Sequence, residues 1–347
     1  MHYNGGVFQI HFMKKARAVL AGGILFLSVV LPMHARVSAP LDQAFRSVQA
    51  DNLDVYGSND LWLEITGVTN NTAFLAIHVP WTATNCILNL FFTTNLGSPS
   101  AWSRVMRCEP GQTNPVVTNL PPAQGFFMLG GPIRPGFDRQ ILDRNDDGST
   151  ASVPLPFTIN FLSNSESALY VNNNGNVTFD KSLSAYTPGD LVAAGAKIIA
   201  PFWADVDTRN TNSNVVQYGT NVVHGHNAFG VDWVNVGYYN QRADKLLSCQ
   251  LVIIDRSDIA PGDFDIEFNY DRIEWETGDA SGGSNGLGGS SARAGYSDGN
   301  MDYELSGSGV NGAFLDTSPV TGLVYNSFKT PVPGRYLFLF RDGQPLP

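Results

Sequence analysis

The chain has 347 residues and a formal net charge of −10, and it combines 35 glycines and 20 prolines with only 15% charged residues. This composition excludes helical bundles and coiled coils, and the acidic charge argues against a nucleic-acid partner, which requires a basic patch. A hydrophobic content of 43%, with 11% aromatic residues, is enough for a packed core and excludes gross disorder.

Residues 1–35 have the pattern of a secretory signal peptide. Two lysines and an arginine precede an apolar run over residues 18–31, and a proline and small residues follow it. The run is short for a membrane span, so we predict a cleaved peptide and a secreted protein, with an uncleaved N-terminal anchor as the alternative. Met13 stands directly before the lysines, which suggests that translation starts there.

Residues 50–130 are predicted to form a small all-β module. Short apolar or alternating runs, separated by clusters of Asn, Gly, Pro and Thr, occur at residues 61–65, 74–78, 86–92 and 125–129. Residues 131–145 contain several prolines and glycines, and they are predicted to form a linker to a second domain.

The cysteines of the predicted mature chain are few. Cys86 and Cys108 lie in one segment between strand-like runs, and in an oxidising compartment they could form a disulfide, which would leave Cys249 unpaired. Three buried, unpaired thiols are the alternative. Because so few cysteines cannot staple a chain of this length, stability must come from packing, and the low cysteine content favours a bacterial source.

Residues 146–343 are predicted to form a larger, β-rich, sandwich-like domain. Over residues 263–270 apolar and polar residues alternate, which predicts one face in the core and one in water. Residues 336–340 are apolar on both faces, which predicts a central strand. The best helix signal is at residues 189–197 and is weak, so the predicted fold is all-β with little helix.

Two motifs in this domain stand out. The first motif consists of Asn172, Asn173, Asn174 and Gly175. It separates two short apolar runs and predicts a tight hairpin turn with positive-φ positions. The second motif consists of Pro201, Phe202 and Trp203. Its two large rings predict a local centre of the core. Neither motif contains a catalytic arrangement.

The segments that contain these motifs, residues 170–179 and 199–209, resemble the two signature segments of the NIDO domain, the extracellular domain of nidogen, alpha-tectorin and the mucin Muc4. Further matching segments follow in the expected order at residues 231–233, 250–252, 268–275, 294–296 and 334–336. The resemblance covers more than half of the chain. It implies a non-enzymatic extracellular protein, with a role in cell–matrix or cell–cell adhesion through an extracellular or surface protein or a glycan.

Asp205 and Asp207 lie at the end of the second signature segment. In an extended chain both carboxylates point to the same side, together with Arg209. This arrangement predicts either a local ion-pair ladder or a Ca²⁺ site, because Ca²⁺ prefers several carboxylate and carbonyl oxygens.

A second acidic segment, residues 143–148, matches the opening of an EF-hand-type loop through Asp143, Asn145 and Asp147. Pro154 stands where such a loop would have its bidentate glutamate, so a full EF-hand loop is absent. Ca²⁺ is the one cofactor that the sequence suggests.

No catalytic residue is assigned from the sequence. The glycine- and serine-rich residues 277–289 lack the strand–turn–helix context of a nucleophile elbow. Asp263 and Asp265 could serve as a glycosidase pair, but alternation in a strand predicts that they form the wet face of a sheet. The alternative to an adhesion protein is therefore a secreted hydrolase or its carbohydrate-binding accessory protein.

Overall fold

The computed structural model describes residues 16–19, 25–29, 62–69, 71–78, 88–94, 103–109, 111–120, 125–330 and 332–347. Their regular structure is almost entirely β, with two short 3₁₀ helices at Leu191–Ala194 and Asp279–Ser281. The all-β prediction is confirmed. The chain divides into two compact units, Met1–Gly130 and Gly131–Pro347.

The first unit contains two antiparallel sheets. Its strands are β1 (Ala16–Val19), β2 (Leu25–Val29), β3 (Trp62–Thr69), β4 (Thr72–His78), β5 (Leu88–Thr93), β6 (Ser103–Cys108), β7 (Val116–Val117) and β8 (Gly125–Gly130). One sheet has the order β1-β3-β4-β7 and the other β2-β8-β5-β6. Alternate side chains of both sheets, including Leu63, Leu75, Leu90 and Phe127, share one buried core.

Strands β1 and β2 fall within the predicted signal peptide, residues 1–35, whose other residues lie outside the described part of the chain. Both are edge strands, and each sheet keeps three paired strands without them. Cleavage of the peptide stays a prediction. In the described ranges, no helix is long and apolar enough to cross a membrane.

The second unit has fourteen strands in two sheets. They are β9 (Gln140–Leu142), β10 (Val153–Phe161), β11 (Asn164–Asn172), β12 (Asn176–Thr178), β13 (Ile198–Trp203), β14 (Val206–Asp207), β15 (Val216–Val223), β16 (His226–Tyr238), β17 (Arg242–Asp255), β18 (Phe264–Ile273), β19 (Arg293–Ser297), β20 (Asp302–Glu304), β21 (Arg335–Arg341) and β22 (Gln344–Pro345). The smaller sheet has the order β10-β11-β12-β13-β19-β20, and the larger has β22-β21-β18-β17-β16-β15-β9, with β14 paired to β16.

The two sheets of this unit pack face to face as a sandwich. Their inner faces contribute to one large core, in which Phe161 and Phe202 from the smaller sheet meet Trp233, Phe268 and Phe340 from the larger. The core is rich in rings that pack edge to face or stacked, an arrangement that adds favourable quadrupole contacts to the burial of apolar area. Most of the unit's stability therefore comes from this single interior.

The outer face of β18 is not solvated, so the prediction of a wet face over residues 263–270 is wrong. Asp265, Glu267 and Asn269 occupy the outer positions of β18 and are at most 5% exposed. Alternation identified the polar face correctly, but residues 131–139 cover part of it. Arg134 binds Glu267, and Phe137 packs in an apolar cluster on the same sheet.

Residues 131–145, predicted as a linker, thus belong to the second unit. Besides these contacts, the main chain of Arg134 exchanges hydrogen bonds with the side chain of Gln250. Strand β9 then pairs with β15 through Ile141 and Gln217, among others. This proline-containing segment therefore covers part of the larger sheet instead of linking two domains.

Two further expectations for this unit need correction. Strand β21 is the second strand from an edge of its sheet, so the prediction of a central strand at residues 336–340 is wrong. Its inward side chains, such as Phe338, are buried, whereas Leu337 and Leu339 are only half-buried. The predicted helix at residues 189–197 is one 3₁₀ turn, Leu191–Ala194, which ends at Gly195 in the left-handed region.

Candidate functional site

A cluster of three carboxylates stands out in the second unit. It consists of Asp146, Asp147 and Asp205, hereafter the acidic cluster, and one oxygen of each lies within 4.8 Å of the others. Oxygen ligands of Ca²⁺ lie about 2.3–2.6 Å from the ion, so two of them are at most about 5 Å apart. The cluster therefore has the spacing of a shared cation site.

The loop at residues 143–148 brings the first two carboxylates into place. Asn145 folds this loop, because its Oδ1 accepts from the main-chain N–H of Gly148 (2.6 Å) and its Nδ2 donates to the carbonyl of Asp143 (2.6 Å). Asn145 thus forms the turn, Asp143 is exposed, and neither belongs to the acidic cluster. Of the three residues that match the EF-hand opening, only Asp147 does.

The predicted hairpin turn joins this loop to the chain around Asp205. Strands β11 and β12 pair from Tyr170 with Thr178 to Asn172 with Asn176, and Gly175 has a φ of 74°. The hairpin is therefore confirmed, with a single positive-φ position.

The asparagines of that turn hold both segments of the acidic cluster. Asn173 Nδ2 donates to the carbonyls of Asp146 (2.5 Å) and Val206 (2.6 Å). Asn174 Nδ2 donates to Asp147 Oδ1 (2.9 Å), and its Oδ1 accepts from the N–H of Val206 (3.0 Å). Asn173 and Asn174, hereafter the clamp, thus connect the loop at 143–148 with the chain next to Asp205. Asn174 also orients the carboxylate of Asp147.

Asn172 and the second motif support this clamp from the core. Asn172 Nδ2 donates to Asn176 Oδ1 (2.7 Å) and Thr178 Oγ1 (3.0 Å) inside the hairpin. Phe202 is fully buried and lies edge to face with Trp275 at 5.7 Å, and Trp203 Nε1 donates to the carbonyl of Ala185. The carbonyl of Pro201 accepts from the hydroxyl of Tyr270 (2.7 Å). The prediction that both rings are buried is confirmed.

Asp205 is the most unusual residue of the acidic cluster. Its side chain is buried, with the residue 1% exposed, and neither carboxylate oxygen has a hydrogen-bond partner among the described residues. Gly278 closes the site on one side, since a Cβ there would lie 2.3 Å from Asp205 Oδ2. Burial, and then repulsion from Asp146 and Asp147, raises the pKa of Asp205 to about 7.

Asp207 behaves differently from Asp205. Arg209 donates to it from Nε (2.9 Å), Nη2 (2.6 Å) and the main chain, and the N–H of Gln241 adds a further bond (2.7 Å). Burial alone would raise the pKa of Asp207, but these bonds hold it below its usual value. Asp207 is therefore the ion-pair partner that one of the two sequence hypotheses predicted.

Asp146 links the ion pair to the acidic cluster. Its Oδ2 contacts Arg209 Nη2 at 2.9 Å, while its buried Oδ1 has no hydrogen-bond partner in the part of the chain that the structure describes. Burial, together with repulsion from Asp207, raises the pKa of Asp146 to about 6. Neither Asp146 nor Gly278 was among the site residues that the sequence predicts.

Asn174 allows a test of the clamp. Replacing Asn174 with alanine removes the donor to Asp147 Oδ1 and one of the two acceptors of the Val206 N–H, which also donates to the carbonyl of Ala204 (2.9 Å). We expect a loss of about 1–3 kcal/mol in the free energy of unfolding, the range for a hydrogen bond to a charged group. Denaturant unfolding of the purified chain measures the loss. Asn300→Ala, at an exposed position, is the matched control. Equal stability of the two variants would contradict the role of Asn174.

The other predicted site residues are not part of the acidic cluster. Cys108 and Cys249 are buried and do not pair with each other, and burial raises the pKa of both thiols. Cys86 lies outside the described residues, so its pairing with Cys108 stays a prediction.

The carboxylates considered for glycoside hydrolysis, Asp263 and Asp265, are both buried. Asp265 forms ion pairs with Arg256 (3.0 Å) and Arg341 (2.7 Å), and Asp263 accepts from the N–H of Asp342 (2.9 Å). These contacts favour a structural role for the pair.

Comparisons with known proteins bear on the same unit. The model of one protein family, described as the nidogen-like domain, matches residues 167–342. Alpha-tectorin of Mus musculus is 29% identical over 218 residues, and alpha-tectorin of Homo sapiens is 28% identical over 223 residues. Each alignment covers 56% of this chain and 10% of the relative, so the chain spans about a tenth of the relatives' length. No solved structure matches the chain significantly.

Proposed function

This chain belongs to the nidogen-like domain family, and from that premise we propose that it is a secreted, non-enzymatic protein that acts in adhesion by binding an extracellular protein or glycan. The observation that carries the proposal is the family match, which extends over the sandwich from β11 to β21 and includes both sequence motifs. The resemblance implies an extracellular setting, and the predicted signal peptide agrees with it.

The structure of the sandwich supports a binding role. Its interior is filled with aromatic and aliphatic side chains, and the polar outer face of the larger sheet is covered by ion pairs that involve Glu267, Arg134 and Arg335. Glu267 is paired with two arginines and its pKa is lowered to about 2, so this carboxylate is unsuited to act as a general acid. The proposal that the chain binds its target without chemical change rests on the family match.

An adhesion role is tested by binding of the purified full chain. The immobilised chain is expected to bind saturably to a surface or matrix protein from extracellular preparations, or to a family of glycans on an array. Absence of saturable binding to both would contradict adhesion. Turnover in a broad screen of secreted-hydrolase substrates would contradict the non-enzymatic part and support a hydrolase instead.

One observation favours the second candidate, a carbohydrate-binding accessory protein. An open groove of about 320 Å³ is lined by aromatic rings, including Tyr303 and Phe328, and by polar side chains such as Asn326. Mixed walls of this kind, apolar with a few polar groups, are typical of small-molecule sites. Val320 lies at the groove and is 82% exposed.

Glycan binding at the groove has a direct test. Val320→Asp is expected to reduce it strongly, because the new carboxylate changes the groove lining. Val222→Asp, on β15 and also exposed, is the matched control and is expected to retain binding. Equal binding by both variants would exclude the groove as the glycan site.

A further inference from the structure

We propose that the acidic cluster is a Ca²⁺ site in which Asp205 is the central ligand and Asp146 and Asp147 complete the carboxylate set. The site goes beyond the proposed adhesion role and does not depend on it. Its ligands come from two segments that are distant in sequence, the loop at 143–148 and the connection between β13 and β14. A bound ion would therefore fasten the start of the domain to the sandwich.

The burial of Asp205 is the first argument, and it is independent of the number of acidic residues. A buried carboxylate without a hydrogen bond or a counter-charge is strongly unfavourable. Neither oxygen of Asp205 has a hydrogen-bond partner among the described residues, and one of them lies within 4.8 Å of carboxylate oxygens of Asp146 and Asp147. A cation between these groups removes the imbalance.

The local charge gives the second argument. Asp146, Asp147, Asp205 and Asp207 place four carboxylates in one region, and Arg209 forms ion pairs with two of them, Asp146 and Asp207. Three negative charges remain in excess when all four are ionised, and a divalent cation would offset most of this excess.

The free coordination capacity of the oxygens is the third argument. Asp205 offers two oxygens and Asp146 offers its buried Oδ1, none of which has a partner among the described residues. Asp147 uses Oδ1 to accept from Asn174, which orients its carboxylate. A site built from carboxylates selects a hard cation. Ca²⁺ tolerates irregular geometry, whereas Mg²⁺ demands a near-ideal octahedron.

The experiment is a Ca²⁺ titration of the full chain after removal of metals with chelator. Calorimetry is expected to show one site with a dissociation constant of about 10⁻⁴ to 10⁻³ M, the range of extracellular sites. The melting temperature should rise with Ca²⁺, because an ion that binds only the folded state stabilises it. Mg²⁺ at the same concentrations is expected to bind more weakly.

Two aspartate variants separate the proposed site from general acidity. Asp205→Asn is expected to weaken Ca²⁺ binding at least about tenfold and to remove the rise in melting temperature. Loss of a group that only supports a ligand already costs about 10- to 100-fold in metal affinity, and Asp205 is a direct ligand. Asp143→Asn removes one negative charge as well, but from a residue outside the acidic cluster, in the loop that holds Asp146 and Asp147. It is expected to bind Ca²⁺ within about twofold of wild type. Circular dichroism establishes that each variant is folded, and Asp147→Asn replaces Asp205→Asn if the latter does not fold.

Three results would overturn the proposal. The first is a folded wild-type chain that shows neither heat nor a shift in melting temperature with millimolar Ca²⁺. The second is Asp205→Asn, or its replacement Asp147→Asn, binding Ca²⁺ as tightly as wild type. The third is tighter binding of Mg²⁺ than of Ca²⁺, which would exclude Ca²⁺ as the preferred ion.

Discussion

Replacing Glu267 with glutamine is expected to lower the free energy of unfolding by about 3–5 kcal/mol, because the change leaves a buried cation without its counter-charge. Glu267 and Arg335 are each 5% exposed, and Glu267 Oε2 lies 3.6 Å from Arg335 Nε. Arg134 adds bonds at 2.6 Å and 2.9 Å to the same carboxylate. Denaturant unfolding of the purified chain measures the loss.

The pH dependence of this loss follows from the pKa of Glu267. Burial alone would raise that pKa, but attraction to Arg335 and the bonds from Arg134 lower it from 4.5 to about 2. A lowered pKa means that the ionised carboxylate stabilises the fold above pH 4.5 and that this contribution disappears as the pH falls toward 2. The difference in stability between wild type and Glu267→Gln should therefore shrink over this interval.

A surface ion pair provides the control for this prediction. Asp258→Asn removes one of the two carboxylate partners of Arg256, which keeps Asp265, and it does so at an exposed position where water screens the interaction, so its effect should be much smaller. A similar loss in both variants would show that burial of the Glu267 pair is unimportant. The double variant Glu267→Met with Arg335→Met should recover part of the loss, because it removes both buried charges together.

The wrong prediction for β18 shows why this ion pair could not be anticipated. Alternation over residues 263–270 assigns polar side chains to one face, and the structure agrees with that assignment. It carries no information on what covers the face. The covering groups come from distant positions, since Arg134 precedes β18 by more than a hundred residues and Arg335 lies on β21.

Local patterns predicted the elements that depend on local physics. The turn at residues 172–175 needs a positive φ where glycine stands, and Phe202 and Trp203 are too large and apolar to remain exposed. The place of β21 in its sheet depends instead on the order of strands, which is a property of the whole fold. Its apolar residues 336–340 could not reveal that order.

The sequence predicted only part of the acidic cluster, and the reasons are similar. The same-side argument for Asp205 and Asp207 assumes a continuous strand, but β14 begins at Val206 and leaves Asp205 outside it. The EF-hand comparison reads alternate positions of the loop and therefore passes over Asp146. Two adjacent aspartates beside a turn-forming Asn145 were the available signal for Asp146, whereas the approach of Gly278 is a tertiary contact that no local pattern indicates.

Replacing Gly175 with alanine is expected to lower the free energy of unfolding by roughly 2–5 kcal/mol, the sum of a backbone effect and a steric one. Its φ of 74° lies in the left-handed region, which costs other residues about 1–2 kcal/mol. A Cβ at this position would also lie 1.8 Å from the carbonyl oxygen of Phe202, so main chain must move. Such overpacking costs about 1–3 kcal/mol or more.

Comparison with Gly225→Ala separates the steric part of this effect from the backbone part. Gly225 lies in the hairpin turn between β15 and β16 with a φ of 87°, and a Cβ there would have no atom within 4 Å. It should therefore lose only the backbone contribution of about 1–2 kcal/mol. Denaturant unfolding of both variants gives the difference, and equal losses would contradict the close approach of the turn to Phe202.

The same variant connects the turn to the acidic cluster. Movement at residue 175 would strain the bonds from Phe202 N–H to the Gly175 carbonyl (3.2 Å) and from Ala204 N–H to the Asn174 carbonyl (3.3 Å). Asn174 also holds Asp147, so the carboxylates should shift with it. We therefore expect folded Gly175→Ala to bind Ca²⁺ more weakly than folded Gly225→Ala, although neither substitution removes a ligand.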